Sequence, residues 1–265
     1  MGALRSAMTV FLIALAVVAP AHGGRSCQEL KPDPATVQKA LDLALLTREA
    51  LDASGAEVAL VGRVGRDMSR QGLRYSHMAF ALRDHPKGRW VLTHMLNQCG
   101  TDASALYDEG LGNFFLDDVF AFEAIIVTPT RALQQRLLVV AATSLPLTLY
   151  ERSYSLIAHP YSTRHQNSNQ WVLEYIAAAM APPGEVSNRV QAQRWLRARG
   201  YAPSEIRIAP FERFGARLFS VNVYFDDHTP DEMQAARYQT VTVESVIRFV
   251  ERADAVVQRQ IVRLP

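Results

Sequence analysis

Apolar residues recur along the chain with two different spacings, and each spacing is typical of one kind of secondary structure. Apolar positions three or four residues apart predict amphipathic helices, whereas short apolar runs bounded by turn residues predict strands. The predicted elements are helices at 35–53, 131–143, 168–180, 186–199 and up to about 258, with strands at 58–64, 75–83, 90–96, 120–127, near 207, at 216–225 and at 239–243.

The order of these elements predicts an α+β fold. Strands 75–83 and 90–96 are separated by a turn at 84–88 and therefore form an antiparallel hairpin. No internal repeat, low-complexity tract or linker divides the chain. We therefore expect one domain, an antiparallel sheet packed with helices, to which residues 185–265 add a C-terminal α/β extension.

The first residues have the pattern of a secretory signal peptide. Arg5 precedes an apolar run at 8–20, and small residues follow at 19–24. This pattern is typical of cleaved signals, and the apolar run is short for a membrane span. We expect residues 1–23 to be removed and residues 24–265 to be periplasmic or secreted, with no stable membrane span. A retained N-terminal anchor is the alternative.

The composition gives no reason to expect a nucleic acid or an acidic membrane as a partner. The chain has 28 Lys and Arg against 26 Asp and Glu, a formal charge of +2, whereas polyanion binding needs a clear basic excess. Neither a glycine-rich phosphate loop nor a zinc motif occurs, so we expect no cofactor and no metal. Asp117 with Asp118, and the run 226–228, place carboxylates together but are typical of a strand edge and a turn.

Two cysteines follow the predicted signal peptide, Cys27 and Cys99. In an oxidising compartment two cysteines most simply pair. Their disulfide would close a loop of about 70 residues and stabilise the fold by up to about 4 kcal/mol. The alternative is that Cys99 is a free nucleophile.

His77 and His94 fall on the two strands of the predicted hairpin. Residues on adjacent antiparallel strands can share one face, so the two side chains can meet across the ladder. A histidine whose second ring nitrogen is held by a polar neighbour can act as the general base for a nucleophile. The alternative is that both are ordinary histidines of a half-buried hairpin.

Ser168 opens the helix 168–180, with Asn167 and Asn169 beside it. Serine is a favoured N-cap, so capping is one interpretation. The other is that Ser168 is a nucleophile at a helix N-terminus, where unpaired N–H groups stabilise developing negative charge. A serine needs proton abstraction, and His77 is the candidate base. Tyr161 is a candidate for an acceptor groove, although aromatic packing explains it equally well.

The order of these segments resembles the circularly permuted papain-like group, which includes NlpC-type hydrolases and relatives of lecithin:retinol acyltransferase. That group has a Ser-His strand, here Ser76-His77-Met78-Ala79-Phe80, and a second polar residue on the next strand, here His94. A strand leading into a helix follows at 123–133. The nucleophile then opens a helix in an Asn-Cys-x-x-Phe-Val pattern, similar to Asn167-Ser168-Asn169-Gln170-Trp171-Val172.

The resemblance covers about 56–180, the expected papain-like core. Over its whole exported length the chain is also similar to the bacterial domain-of-unknown-function 2145 family. The wider group implies hydrolysis or transfer of amides, esters or thioesters, and its bacterial envelope relatives imply a peptide or lipid of the cell envelope as the ligand.

Ser168 stands where the papain-like group has its cysteine. We therefore expect a papain-like cleft that binds an envelope peptide or lipid without turnover. The alternative is a serine-dependent hydrolase or acyltransferase with Ser168 as nucleophile, His77 as base and His94 as orienter. A third reading places Ser155 or Ser162 closer to the histidines.

Overall fold

The computed structural model describes residues 32–117, 119–254 and 257–264, and it describes the backbone but not the side chains of 217–219. The predicted signal peptide 1–23, Cys27 and Asp118 lie outside the described residues. Cys99 is disulfide-bonded, but its pairing with Cys27 stays a prediction.

Eight strands form two antiparallel sheets in the described part of the chain. They are β1 Val58–Val64, β2 His77–His85, β3 Gly88–Asn97, β4 Ser104–Glu109, β5 Ala121–Thr128, β6 Ser204–Arg207, β7 Arg237–Thr240 and β8 Gln258–Arg263. The six-stranded sheet has the order β4-β3-β2-β1-β5-β8, and β6 pairs with β7 in a small separate sheet.

The helices of the described chain mostly begin at a side chain that can cap them. At six helices an Asp, Asn or Thr side chain accepts an N–H of the first turn, which satisfies a donor that has no partner inside the helix. The capping residues are Asp33, Thr130, Asn167, Asn188, Thr229 and Thr242. The helices are α1 Pro34–Ala53, α2 Leu111–Leu116, α3 Arg131–Ala141, α4 Leu145–Thr148, α5 Ser168–Met180, α6 Arg189–Ala198, α7 Pro210–Phe219, α8 Pro230–Ala235 and α9 Val243–Ala253, with a 3₁₀ turn at Ser69–Gln71.

The large sheet is covered on both faces, and this divides the core in two. Side chains alternate along β2, so that Met78 and Phe80 pack with α3, α5 and α9, whereas Ala79 and Ala81 pack with α1 and α2. Phe80 contacts the ring of Trp171 on α5. No helix among the described residues has the length and apolarity needed to cross a membrane.

The α+β prediction is confirmed, and the main differences lie in the second half of the chain. The predicted strand 216–225 is wrong, because α7 runs through Phe219 and no strand follows it directly. Pro210 fits the first turn of a helix, and Glu212 accepts a hydrogen bond from the backbone N–H of Ala209 at 2.9 Å. The closing helix ends at Ala253 instead of about 258, and β8 follows it.

Candidate active site

The helix α5 begins at Ser168, but Asn167 is the residue that caps it. Oδ1 of Asn167 accepts the backbone N–H of Gln170 at 2.8 Å. Its Nδ2 donates to the Thr240 hydroxyl at 3.1 Å and to the Val241 carbonyl at 3.2 Å, which ties the helix start to the C-terminal part of the chain. The capping interpretation of Ser168 is therefore wrong, and its hydroxyl is left for another partner.

A line of three polar contacts runs from Ser168 into the sheet. Oγ of Ser168 lies 2.9 Å from Nδ1 of His77, the first residue of β2. Nε2 of His77 lies 2.7 Å from Nδ1 of His94 in β3. Nε2 of His94 lies 2.9 Å from Oε1 of Glu109, the last residue of β4. The structure brings the three candidate catalytic residues together and adds a carboxylate, and we call these four residues the relay.

The contact between His94 and Glu109 is close but is not a well-aligned hydrogen bond. At 2.9 Å the two atoms are within hydrogen-bonding distance, yet neither meets the angular requirement of one. The His94 side chain is fully buried. We therefore treat Glu109 as an electrostatic anchor that favours a proton on the near nitrogen of His94.

The Glu109 carboxylate favours one arrangement of the protons on the ring nitrogens of His94 and His77. A carboxylate accepts and does not donate, so a proton on Nε2 of His94 faces Glu109 and leaves Nδ1 of the neutral ring as an acceptor. His77 then donates through its Nε2–H, and its Nδ1 accepts the hydroxyl proton of Ser168. The tautomers are assigned here from the contacts. In this arrangement His77 is oriented as a base toward Ser168.

The surroundings of His77 keep its ring neutral. Burial is the main cause that holds the pKa of His77 well below 6.5, and the charges of Arg63 and His94 lower this pKa further. Arg63 stands opposite His77 in the register of β1 and β2. Its Nη2 lies 2.6 Å from Oδ2 of Asp117, and its guanidinium covers the Phe114 ring at 4.8 Å. Positive charge is therefore disfavoured on His77.

The Ser168–His77 contact opens into a cavity of about 350 Å³. This volume is in the range of small-molecule sites. Apolar side chains line a large part of the wall, and Ser168, His77, Arg63 and Asn169 are among the polar residues that line the rest. The apolar lining includes Leu73, Met95, Leu156, Ile206, Val223 and Val241.

The first turn of α5 supplies donors next to the hydroxyl. The backbone N–H groups of Ser168 and Asn169 are the first two of the helix and have no partner within it, whereas that of Gln170 is taken by the Asn167 cap. The Nδ2 of Asn169 holds the Ser76 carbonyl at a long 3.4 Å, and its buried Oδ1 has no hydrogen-bond partner among the described residues. The site therefore presents polar groups without committed partners.

The structure does not bring the other predicted residues to this site. The Tyr161 hydroxyl donates to the Tyr201 carbonyl at 3.0 Å, away from the cavity lining. The Ser155 hydroxyl contacts the Tyr224 backbone at 3.1 Å, and that of Ser162 accepts from the backbone N–H of Arg164 at 3.2 Å. Neither alternative serine touches the relay histidines. Cys99 is in a disulfide and supplies no free thiol.

The candidate metal residues that the structure describes do not form a metal centre. No cluster of three His, Cys, Asp or Glu side chains suited to a metal occurs within the described ranges. Asp117 pairs with Arg63, and the His228 ring contacts the Ile157 carbonyl at 2.9 Å.

Glu109 and Arg63 are the functional candidates that the sequence reasoning missed. Glu109 lies on β4, a strand that was not predicted, because only its first residue is buried. In the register of β3 and β4, His94 faces Tyr107, so Glu109 is its diagonal neighbour. Recognition of the strand 104–109 would have pointed to Glu109.

A second serine–histidine–carboxylate contact lies outside the cavity. The Ser153 hydroxyl is 2.8 Å from Nδ1 of His165, and Nε2 of that ring is 2.9 Å from Oδ1 of Asp226. Ser153 and His165 do not line the cavity. These contacts join the segment before α5 to the segment after α7, and Ser153 offers a matched control for Ser168.

Comparisons with known proteins identify a family without an assigned activity. Searches of curated proteins and of solved structures give no match to the chain. The family model described as an uncharacterized protein conserved in bacteria, domain-of-unknown-function 2145, matches residues 50–250. This range includes all four relay residues, and it exceeds half of the 265-residue chain. The chain belongs to the domain-of-unknown-function 2145 family.

Proposed function

We propose that the protein is a serine-dependent acyl hydrolase or acyltransferase. The observation that carries the proposal is the relay from Ser168 through His77 and His94 to Glu109, a series of contacts of 2.9, 2.7 and 2.9 Å that opens on the cavity. A cleft that only binds a ligand gains nothing from a serine hydroxyl held by an oriented, neutral imidazole. The intact relay therefore favours catalysis over binding without turnover.

The proposed reaction begins when Oγ of Ser168 attacks the carbonyl carbon of an ester or amide. The hydroxyl proton moves to Nδ1 of His77, and the negative charge develops on the substrate oxygen. The backbone N–H groups of Ser168 and Asn169 at the start of α5 are the donors we propose for that oxygen. His77 then protonates the leaving group, and water or a second acceptor releases the acyl group from Ser168 by the same steps in reverse.

A second histidine and a carboxylate suit a serine better than a thiol. A serine hydroxyl has a high pKa, so its base removes the proton only when the positive charge that forms on the base is stabilised. Arg63 disfavours that charge on His77. The contact of 2.7 Å with His94 offers the charge a place beside Glu109. In the proposed mechanism His94 and Glu109 hold this charge while the tetrahedral intermediate exists.

The papain-like grouping remains part of the proposal. A histidine at the start of a strand, held by a polar residue of the next strand and facing the first residue of a buried helix, is the arrangement expected of the permuted papain-like group. The apolar part of the cavity lining fits an acyl chain or an apolar peptide side chain. Together with the predicted signal peptide, this supports a lipid or peptide of the cell envelope as the substrate.

A serine-directed fluorophosphonate probe tests the proposal. We expect the purified protein to be labelled, Ser168→Ala to abolish labelling, and His77→Gln to slow it at least about tenfold. Ser153→Ala is the matched control, because Ser153 also contacts a histidine that a carboxylate holds. It should retain full labelling.

Two outcomes would contradict the proposal. One is labelling that depends on Ser153 instead of Ser168. The other is a natural protein that takes no probe, while Ser168→Cys reacts with a thiol reagent. That second result would favour a ligand-binding cleft without turnover.

A further inference from the structure

Four exposed apolar side chains lie on, or close in sequence to, segments that line the cavity. Leu156, which lines the cavity, is itself 37 % exposed, and together with exposed Asp67 and Arg70 it marks where the cavity opens to solvent. Phe211 and Phe214 on α7 are 78 % and 62 % exposed, and Val221 follows that helix. We call Leu156, Phe211, Phe214 and Val221 the entrance patch.

The chain connects α7 directly to the cavity wall. Ile208 precedes the helix and Asn222 follows it closely, and both residues line the cavity. The Leu156 backbone N–H donates to the Asn222 carbonyl at 2.9 Å, so the segment after α7 is fixed at the opening. The entrance patch is therefore beside the route that a ligand would take.

The opposite side of α7 is anchored to the protein. Ala216 packs with the cluster of Ile157, Ile206, Phe225 and Tyr238. Arg213 donates to the Met233 carbonyl at 3.0 Å and to the Tyr238 hydroxyl at 3.1 Å. Phe211 and Phe214 are one helical turn apart on the outer side, where they meet no such cluster. The helix is thus amphipathic, with its aromatic face turned to solvent.

Arginines accompany this apolar surface. Arg70 and Arg207 are exposed, and Arg66 is partly exposed and lines the cavity. Gln71 fixes Arg207 near Arg70, since it exchanges two hydrogen bonds of 3.0 Å with the backbone of Arg207. Asp67 and Glu212 also lie near this surface and keep their negative charge, although each accepts a backbone N–H, so the three arginines exceed these two carboxylates by one charge.

We infer that the entrance patch docks on the surface of an anionic phospholipid bilayer, from which an acyl chain enters the cavity. Exposed aromatic residues flanked by arginines are the chemistry that binds such an interface peripherally. The total charge of the chain is nearly balanced, so the attraction arises from the placement of the arginines and not from their number. This inference names the substrate source for the proposed function and rests on it.

Radical footprinting of the full-length protein tests the docking locally. Phosphatidylglycerol vesicles should lower the oxidation of Phe211 and Phe214 at least about threefold, because docked side chains enter the acyl boundary. Leu147, which is 67 % exposed on α4, serves as the control within the same chain and should be unchanged. Phosphatidylcholine vesicles should protect the two phenylalanines much less.

Three results of the footprinting would overturn the inference. The first is unchanged oxidation of both phenylalanines, and the second is equal protection at Leu147. The third is equal protection by both lipids. Self-association of the protein that Phe211→Ser with Phe214→Ser abolishes, without vesicle protection, would show instead that a second copy covers the patch. None of these readouts needs catalysis, so they separate a failure of docking from a failure of the proposed function.

A hydrolysis assay tests whether the entrance patch delivers substrate to Ser168. Phe211→Ser with Phe214→Ser should lower hydrolysis of a long-chain ester presented in phosphatidylglycerol vesicles at least about tenfold. Hydrolysis of a soluble short-chain ester should stay unchanged, because neither phenylalanine lines the cavity. The pair Val139→Ser with Leu147→Ser, also exposed and apolar, is the matched control. Equal loss with both substrates would contradict the docking role.

Discussion

At the scale of single residues, the direction of the protons in the relay is the property on which the proposed chemistry depends. Ser168 and His77 alone would leave the tautomer of His77 undetermined. The Glu109 carboxylate, 2.9 Å from Nε2 of His94, favours one tautomer of the pair, since a carboxylate can only accept. The role of Glu109 is therefore to orient, and it acts without touching the reacting hydroxyl.

Glu109→Gln should lower kcat/KM for ester hydrolysis at least about tenfold while the fold is retained. The amide of glutamine can donate to Nε2 of His94, which reverses the protons along the relay and turns the Nδ1–H of His77 toward Ser168. Asp108→Asn is the matched control, because Asp108 lies on the same strand but contacts Thr93 at 2.7 Å and Lys87 at 3.0 Å. An equal loss in both variants would argue against an orienting role.

The lowered pKa of His77 also predicts how stability depends on pH. The unfolded chain binds a proton on this histidine below about pH 6.5, whereas the folded protein does so only at much lower pH. The free energy of unfolding should therefore decrease as pH falls below 6.5, by up to about 1.4 kcal/mol per pH unit from this one group.

His77→Gln should reduce this pH slope, which urea unfolding between pH 7 and pH 5 can measure. His159→Gln is a useful comparison, since burial lowers the pKa of His159 as well but less strongly, and it lies outside the cavity. An unchanged slope in His77→Gln would mean that His77 binds a proton in the folded protein.

At the scale of elements, the start of α5 positions Ser168, the proposed nucleophile. Asn167 both caps this helix and holds Thr240 and Val241, so the hydroxyl of Ser168 is placed by a neighbour with no part in the chemistry. Two adjacent residues thus have different roles: Asn167 holds the helix start, and Ser168 carries the hydroxyl of the proposed reaction. Sequence reasoning assigned the cap one residue too late.

Asn167→Ala should lower the free energy of unfolding by about 1 to 2 kcal/mol and also slow labelling of Ser168. Asn188→Ala is the matched control, since Asn188 caps α6 by accepting the Gln191 N–H at 3.0 Å, far along the chain from the relay. It should lower stability by a similar amount and leave the labelling rate unchanged. Loss of labelling in both variants would indicate a general effect of stability.

At the scale of the whole molecule, the order of the sequence motifs predicted the contact between Ser168 and His77. The contacts made by short or irregular segments were missed. Ser168 and His77 are 91 residues apart and lie 2.9 Å from each other, which the order of motifs led us to expect. The pattern of β1 and α5 also predicted both elements with the observed bounds. Long apolar runs with clear ends carry this information.

The missed features share a physical cause. β4 is only six residues long and mostly part-exposed, so its apolar pattern is weak and Glu109 looked like a loop residue. In the segment 210–225 Phe211 and Phe214 of α7 face solvent, and an exposed aromatic face resembles a strand when it is read without its neighbours. Tertiary contacts, and not local preference, decide both segments.

The position of a covalent adduct tests the central claim most directly. The protein is treated with the fluorophosphonate probe, and its peptides are mapped by mass spectrometry. The account predicts one adduct, on Ser168, formed at a rate that falls by at least about tenfold in His77→Gln because the base is lost. An adduct on Ser153, or no adduct on a folded protein, would contradict it.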